Sequence, residues 1–139
     1  MRLMLLAFTA LLLVVVPAQA GDQGPVEVTA KLVEIPGKFP PDDLYDYAYV
    51  MKYKVTGGEL DGKTILVAHY KPRRARKKIK DQMKKHVGGK LKRFKQGAVH
   101  VMTLDPNLQK IWQGAVIDDF FAIDRKSTRY WCLKVDPKK

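Results

Sequence analysis

Alternating side chains over residues 47–55 constrain the fold more than any other feature of the chain. The segment reads YAYVMKYKV, and one set of alternate positions is entirely aromatic or apolar: Tyr47, Tyr49, Met51, Tyr53 and Val55. The other set includes Lys52 and Lys54. Because successive side chains of a strand point to opposite faces, this pattern predicts a β-strand with one buried face and one face in water.

Further strands are predicted on both sides of this one. Residues 26–35 alternate until Leu32, where the pattern slips by one position and predicts a bulge or bend. Three more segments have strand composition: KTILVAHY at 63–70, AVHVMTL at 98–104 and TRYWCLKV at 128–135. A short strand is also considered at 90–95, and residues 108–129 fit either a short strand or an irregular loop.

One helix is predicted between the third and fourth of these strands, at about residues 73–87. Four apolar residues recur there every four positions: Ala75, Ile79, Met83 and Val87. Pro72 suits a helix start, and Gly88 with Gly89 suits a helix end. The chain is therefore predicted to be mainly β with one helix.

The order β-β-β-α-β-β resembles the OB-fold, a five-stranded Greek-key barrel whose helix lies between the third and fourth strands. The resemblance is one of element order and covers Val26 to Val135, without a specific sequence motif. It implies a small exported OB-like barrel. An unrelated α+β barrel or a sandwich is the alternative.

The first twenty residues have the layout of a secretory signal peptide. Arg2 precedes an apolar run of 14 residues from Leu3 to Val16, and a small-x-small site ends at Ala20. A spanning helix needs roughly 20 residues, so an uncleaved anchor is the less favoured alternative. We therefore expect a single domain at residues 21–139, with no transmembrane segment after cleavage, in the periplasm or outside the cell.

Positive charge is concentrated in residues 71–95, here called the basic segment. It contains thirteen lysines and arginines and one acid, Asp81, so its formal charge is +12. The rest of the chain after Ala20 has 12 basic and 13 acidic residues, which gives −1. A nearly neutral domain with one cationic segment predicts contact with a negatively charged polymer or surface, although such a run of charges can also be an ordinary solvated surface.

The predicted function is non-enzymatic binding of polyanions: acidic glycan, lipopolysaccharide or an anionic lipid surface, with nucleic acid less favoured. The alternative is an envelope assembly protein that docks the basic element on an acidic protein. The candidate polyanion-binding residues are Arg73, Arg74, Arg76, Lys77, Lys78, Lys80, Lys84, Lys85, Lys90, Lys92 and Arg93.

No catalytic residue, metal site or cofactor is predicted. GGELDGKT at 57–64 matches the P-loop pattern, but strand residues follow it where a helix is required, so a hairpin turn is predicted instead. His69 and His100 lack metal-ligand spacing and are interpreted as strand residues that could face each other. Cys132 has no second cysteine to pair with and is interpreted as a small apolar residue, with a Cys–His nucleophile as the alternative.

Two further groups have competing interpretations. The tyrosines at 45, 47, 49, 53 and 70 could form a stacking platform, but their alternation with Met51 and Val55 favours a core role. The aspartates form two clusters that could instead neutralise the basic segment: Asp42, Asp43 and Asp46, and Asp118, Asp119 and Asp124.

Overall fold

The structure is a computed structural model that describes residues 24–139. Its strands are β1 (Val26–Glu34), β2 (Tyr47–Val55), β3 (Thr64–Tyr70), β4 (Val99–Asp105), β5 (Ala115–Ile117) and β6 (Arg129–Pro137). One short α-helix, α1 (Leu108–Ile111), and two 3₁₀ helices, Arg76–Lys78 and Gln82–His86, complete the described elements. The prediction of a mainly β chain is confirmed. The predicted signal peptide, residues 1–20, lies outside the described residues.

The strands form one sheet in the order β1-β4-β6-β3-β2-β5, with an additional pairing between β1 and β2. The contacts of β2 with β1 and β3 are antiparallel, whereas β3–β6 and β2–β5 are parallel. The register between β1 and β2 shifts between Leu32 and Glu34, which confirms the irregularity predicted there. A tight turn at 57–63 leads straight into β3, so the P-loop-like sequence is the predicted hairpin turn.

Both faces of β2 contribute to buried apolar clusters. Tyr47, Tyr49 and Tyr53 are buried in the first cluster, which confirms the core interpretation for them, whereas Tyr45 is 46% exposed. The second cluster buries Ala48 and Val50, which the alternation had placed on the solvent-exposed face of the strand together with Lys52 and Lys54. Only the far end of that face, with Lys52 and Lys54, reaches solvent, because the basic segment and Trp131 cover the rest.

The predicted continuous helix at 73–87 is not formed, and two 3₁₀ helices separated by extended residues replace it. Ile79, Met83 and Val87 are buried as the stripe predicted, but extended backbone at Ile79 and Val87 sets their spacing. A helix would also stack like charges four residues apart, as at Lys80 and Lys84, and each such pair disfavours it by a few tenths of a kcal/mol. Tertiary anchoring therefore replaces helical hydrogen bonding.

The remaining predictions for irregular regions are resolved as follows. Residues 90–95 form no strand, so the short strand considered there is wrong. Residues 108–129 contain α1, β5 and turns, and Phe120 from this region packs into the second cluster beneath the Lys52 ammonium, 4.7 Å from the ring centre.

Within residues 24–139, the helices are all too short and polar to cross a membrane.

Candidate functional site: a basic groove

The folded basic segment creates a groove of about 860 Å³ whose lining is cationic apart from one alanine. We call it the basic groove. Two stretches of the segment line it: residues 73–78, here called the first wall, and residues 90–93, here called the second wall. The lining residues are Arg73, Arg74, Ala75, Lys77, Lys78, Lys90, Lys92 and Arg93. Seven of the eleven predicted binding residues therefore lie around one concave surface.

Arg76 connects the two walls of the basic groove. Its backbone N–H donates to the carbonyl of Leu91 at 2.9 Å, which ties the first wall to the second. Its guanidinium donates to the carbonyls of Lys71 and Arg74 at 2.8 and 3.0 Å and lies over the Phe94 ring. Arg76 is 3% exposed, so this predicted binding residue is buried beneath the surface that the other cations line. It shapes the groove instead of lining it.

Burial of Arg76 has an electrostatic consequence. Removal from water lowers the pKa of its guanidinium to about 10, which still leaves it charged at neutral pH. No carboxylate within residues 24–139 forms an ion pair with it, so carbonyl oxygens and the Phe94 ring supply its stabilising contacts. A buried cation held in this way adds to the positive potential under the groove.

The second wall is anchored to β6 by backbone contacts. Gly88 N–H donates to Leu133 O at 2.7 Å, and Leu91 N–H donates to Val135 O at 3.2 Å. Gly89 has φ +106°, and a Cβ at this position would lie 2.0 Å from Val135 O. Only glycine permits this approach. Gly88-Gly89, predicted to end a helix, therefore allows the chain to run against β6 and present Lys90 and Lys92.

Three predicted binding residues are exposed outside the groove: Lys80, Lys84 and Lys85. They lie around the second 3₁₀ helix, whose buried residue is Met83. Their ammonium groups increase the local potential but do not contribute to the lining. This divides the predicted set into groove cations, one buried arginine and three peripheral lysines.

The protein's own aspartates neutralise little of the basic segment. Lys71 pairs with Asp46 at 2.6 Å and Arg74 pairs with Asp42 at 3.0 Å. The second aspartate cluster is directed elsewhere, because Asp118 and Asp124 pair with Arg129. Across the part of the chain that the structure describes, the other eleven cations of the segment have no ion-pair partner. The groove therefore retains nearly all of its charge.

A separate polar cluster is buried in the first apolar cluster. The Tyr53 hydroxyl lies 2.9 Å from His69 Nε2 and 3.1 Å from His100 Nδ1, so the predicted proximity of the two histidines is realised through a shared partner. The Phe94 ring centre lies 4.4 Å from that of His69. Burial is the main cause that lowers the pKa of His69 well below its usual value and that of His100 to about 4. Both imidazoles are neutral at physiological pH.

Cys132 is buried against the same cluster. Its thiol donates to Lys134 O at 3.2 Å, and burial raises its pKa to about 12. The thiolate, which is the nucleophilic form, is therefore scarce at neutral pH. No three histidine, cysteine or carboxylate side chains converge into a possible metal site between residues 24 and 139. This cluster has the properties of a structural core.

Sequence reasoning found the cations but missed their arrangement around a groove. Linear spacing gave no sign that residues 73–78 and 90–93 line one groove, since that depends on contacts between distant residues such as the hydrogen bond between Arg76 and Leu91. The usable signal was Gly88-Gly89, which interrupts the basic segment and permits a reversal. No protein-family model matches the chain, and comparisons with curated proteins and with solved structures gave no significant match.

Proposed function

We propose that this protein is an exported, non-enzymatic module that binds polyanions through the basic groove. One observation carries the proposal: seven lysines and arginines line a single concave surface, and no acidic residue of the described part of the chain joins them there. Only one of the seven, Arg74, forms an ion pair with another described residue. Like charges held together raise the energy of the free protein, and a polyanion relieves this repulsion on binding.

The proposed scaffold is a barrel of the OB type. Support comes from the sequence of pairings, which runs from β1 to β2, β3, β6 and β4 and returns to β1. The basic segment lies between β3 and β4, the position of the helix in the OB order. On this interpretation β5 is an addition beside β2, and the groove lies on the connection outside the barrel.

The expected strength of binding is moderate and sensitive to salt. A lysine or arginine near an anionic surface contributes on the order of 1 kcal/mol. Several acting together are sufficient for reversible attachment. With a dense polyanion, each contact releases condensed counter-ions, so affinity falls steeply as salt rises.

Two further parts of the proposal have separate support. Export is supported by the charged start, apolar run and cleavage site within residues 1–20. A non-enzymatic role is supported by the state of the nucleophile and base candidates, because Cys132, His69 and His100 are buried and their pKa shifts favour the neutral forms.

The test is retention of the purified protein on immobilised heparin at two salt concentrations, beside a variant with four groove lysines changed to glutamine: Lys77, Lys78, Lys90 and Lys92. The protein should elute at high salt, and the variant should elute much earlier. Elution that depends on neither salt nor these lysines would refute polyanion binding. Salt-resistant co-purification of one acidic protein would favour the partner-docking function instead.

A further inference from the structure

We propose that the basic groove is specific for a linear polyanion with closely spaced phosphate or sulfate groups and no bases, and that a flat membrane surface or a nucleic acid is a poor ligand. This inference rests on the proposed function and narrows its ligand class. Three properties of the groove support it: its concave shape, the absence of aromatic side chains from its lining, and the kind of cation that remains free in it.

The shape of the groove favours a chain over a surface. The lining combines Lys77 and Lys78 of the first wall with two lysines of the second wall, Lys90 and Lys92. An extended polymer lying between the walls meets both sets of ammonium groups at once. A bilayer is flat on this scale and would meet only the rims, together with peripheral lysines such as Lys84.

Among the described residues, the lining offers no aromatic ring on which a nucleobase could stack. All eight lining residues are basic or alanine. Phe94 follows Arg93 in sequence, but its ring packs between the Arg76 guanidinium and the His69 imidazole, with centre-to-centre distances of 5.1 and 4.4 Å. Base stacking contributes roughly 1–3 kcal/mol per base in single-strand binders, and this groove forgoes that gain.

The cations of the groove favour a ligand with a high charge density over a ligand with widely spaced carboxylates. Arginine recognises a planar carboxylate through its fork of donors, but Arg73 already donates twice to Phe39 O and Arg74 is paired with Asp42. Arg73 and Arg74 keep their charge but have part of their donor forks occupied, whereas Arg93 and the four lining lysines form no ion pair with another described residue. A lysine ammonium behaves as a compact point charge, so its attraction depends on the charge density of the ligand. Phosphate and sulfate chains meet this condition better than a polyuronate with one carboxylate per sugar.

The groove is also held in shape before the ligand arrives. The first wall is fixed to the second by the hydrogen bond between Arg76 and Leu91, and the second wall is fixed to β6 by the contact between Leu91 and Val135. Little backbone ordering then remains to oppose binding. A pre-formed site responds to where a charge is placed, whereas a flexible basic tail responds only to total charge.

The experiment compares two variants of equal net charge. Lys77→Gln with Lys92→Gln removes one ammonium from each wall, and Lys84→Gln with Lys85→Gln removes two peripheral ones. Affinities of the purified proteins are measured by isothermal titration calorimetry at three salt concentrations. The ligands are inorganic polyphosphate, heparin, polygalacturonate, an oligothymidylate and vesicles containing phosphatidylglycerol. Polyphosphate and heparin separate the phosphate and sulfate sources of the same chemistry.

For polyphosphate and heparin, the groove variant should lose about tenfold or more in affinity. Its slope of log affinity against log salt should fall by about 1.4, from roughly 0.7 for each lost contact. The peripheral variant should change less than about threefold, and polygalacturonate should bind the unaltered protein at least about tenfold more weakly. The larger loss in the groove variant is expected because lysines of both walls contact the ligand, and the weaker binding of polygalacturonate is expected because its charge density is lower.

Equal losses in both variants would overturn the groove inference and leave general polyanion binding standing. Tighter binding of vesicles or of oligothymidylate than of polyphosphate would also overturn it, in favour of a membrane or a nucleic acid. If the unaltered protein binds none of the five ligands, the proposed function itself fails. Circular dichroism of each variant establishes that the fold is retained.

Discussion

Acidification should destabilise this protein through His100. The side chain is fully buried, and burial lowers its pKa from 6.5 to about 4. The unfolded chain therefore binds a proton below about pH 6.5, while the folded protein resists it until about pH 4. Stability contributed by the neutral imidazole is complete above pH 6.5 and is lost as the pH falls towards 4.

The size of the effect follows from these two pKa values. Linkage gives a loss of roughly 2–3 kcal/mol between pH 7.5 and pH 4.5 from His100 alone. His69 acts in the same direction, because burial, the Arg76 cation and His100 all lower its pKa. A proton on His69 would also create a buried cation near Arg76, while Tyr53 and Cys132 stay neutral and offer no counter-charge. A loss of this size is a large part of the stability of an ordinary domain.

Urea denaturation at pH 7.5 and pH 4.5 measures the loss, and His100→Gln provides the control. Most carboxylates that titrate in this range contribute similarly to both proteins, so their effects largely cancel in the comparison. The variant should lose roughly 2–3 kcal/mol less than the unaltered protein over the same interval. Equal losses would refute the reasoning. If the variant does not fold, NMR of the unaltered protein decides, since a titration of His69 or His100 near pH 6.5 would contradict the burial argument.

Three other substitutions or modifications test the groove's supports and the buried thiol. Gly89→Ala should lower the free energy of unfolding, measured by urea denaturation, by about 3 kcal/mol or more, because the added Cβ meets Val135. Gly97→Ala is the control, since Gly97 has φ +94° but no atom within 4 Å of the added Cβ, and it should cost only about 1–2 kcal/mol. Equal costs would remove the packing argument. Met83→Ala should lower the free energy of unfolding by about 2–5 kcal/mol because Met83 is buried, and the neighbouring exposed-site change Lys84→Ala should lower it by less than about 0.5 kcal/mol. The reverse order would mean that Met83 does not anchor the second 3₁₀ helix. The Cys132 thiol should react with Ellman's reagent only after urea unfolding, and rapid reaction in native buffer would disprove its burial.

Local pattern predicted what depends on neighbouring residues. The alternation of residues 47–55 identified β2 and its tyrosine face, and the phase slip near Leu32 identified the irregular pairing with β2. Both are consequences of the two-residue period of a strand. Spacing also identified Ile79, Met83 and Val87 as buried, even though the helix assigned to them was wrong. A four-residue spacing indicates where apolar side chains fall, but several backbone paths can deliver it.

What the sequence could not provide depends on contacts between distant residues. Arg76 looks like its cationic neighbours, and only the carbonyls of Lys71 and Arg74 together with the Phe94 ring explain its burial. Val50 appeared to share a wet face with Lys52 because alternation shows which residues lie together and not what covers them. The groove likewise requires the register of Leu91 against β6, which no local pattern contains.

The contacts that allow the basic segment to fold also fix the charges on which the proposed function depends. Eleven of its cations form no ion pair within residues 24–139 and oppose compaction, and Ile79, Met83 and Val87 offset this by burial, each contributing roughly 1.5–3 kcal/mol. Because those anchors are fixed to the sheet, the ammonium groups around them keep fixed positions. We expect the remaining repulsion to be largest in the basic groove, because seven cations line one surface there. On the proposed function, a linear anion placed there would relieve more repulsion than the same charge placed at Lys84 or Lys85, and this difference would distinguish a binding site from a merely positive surface.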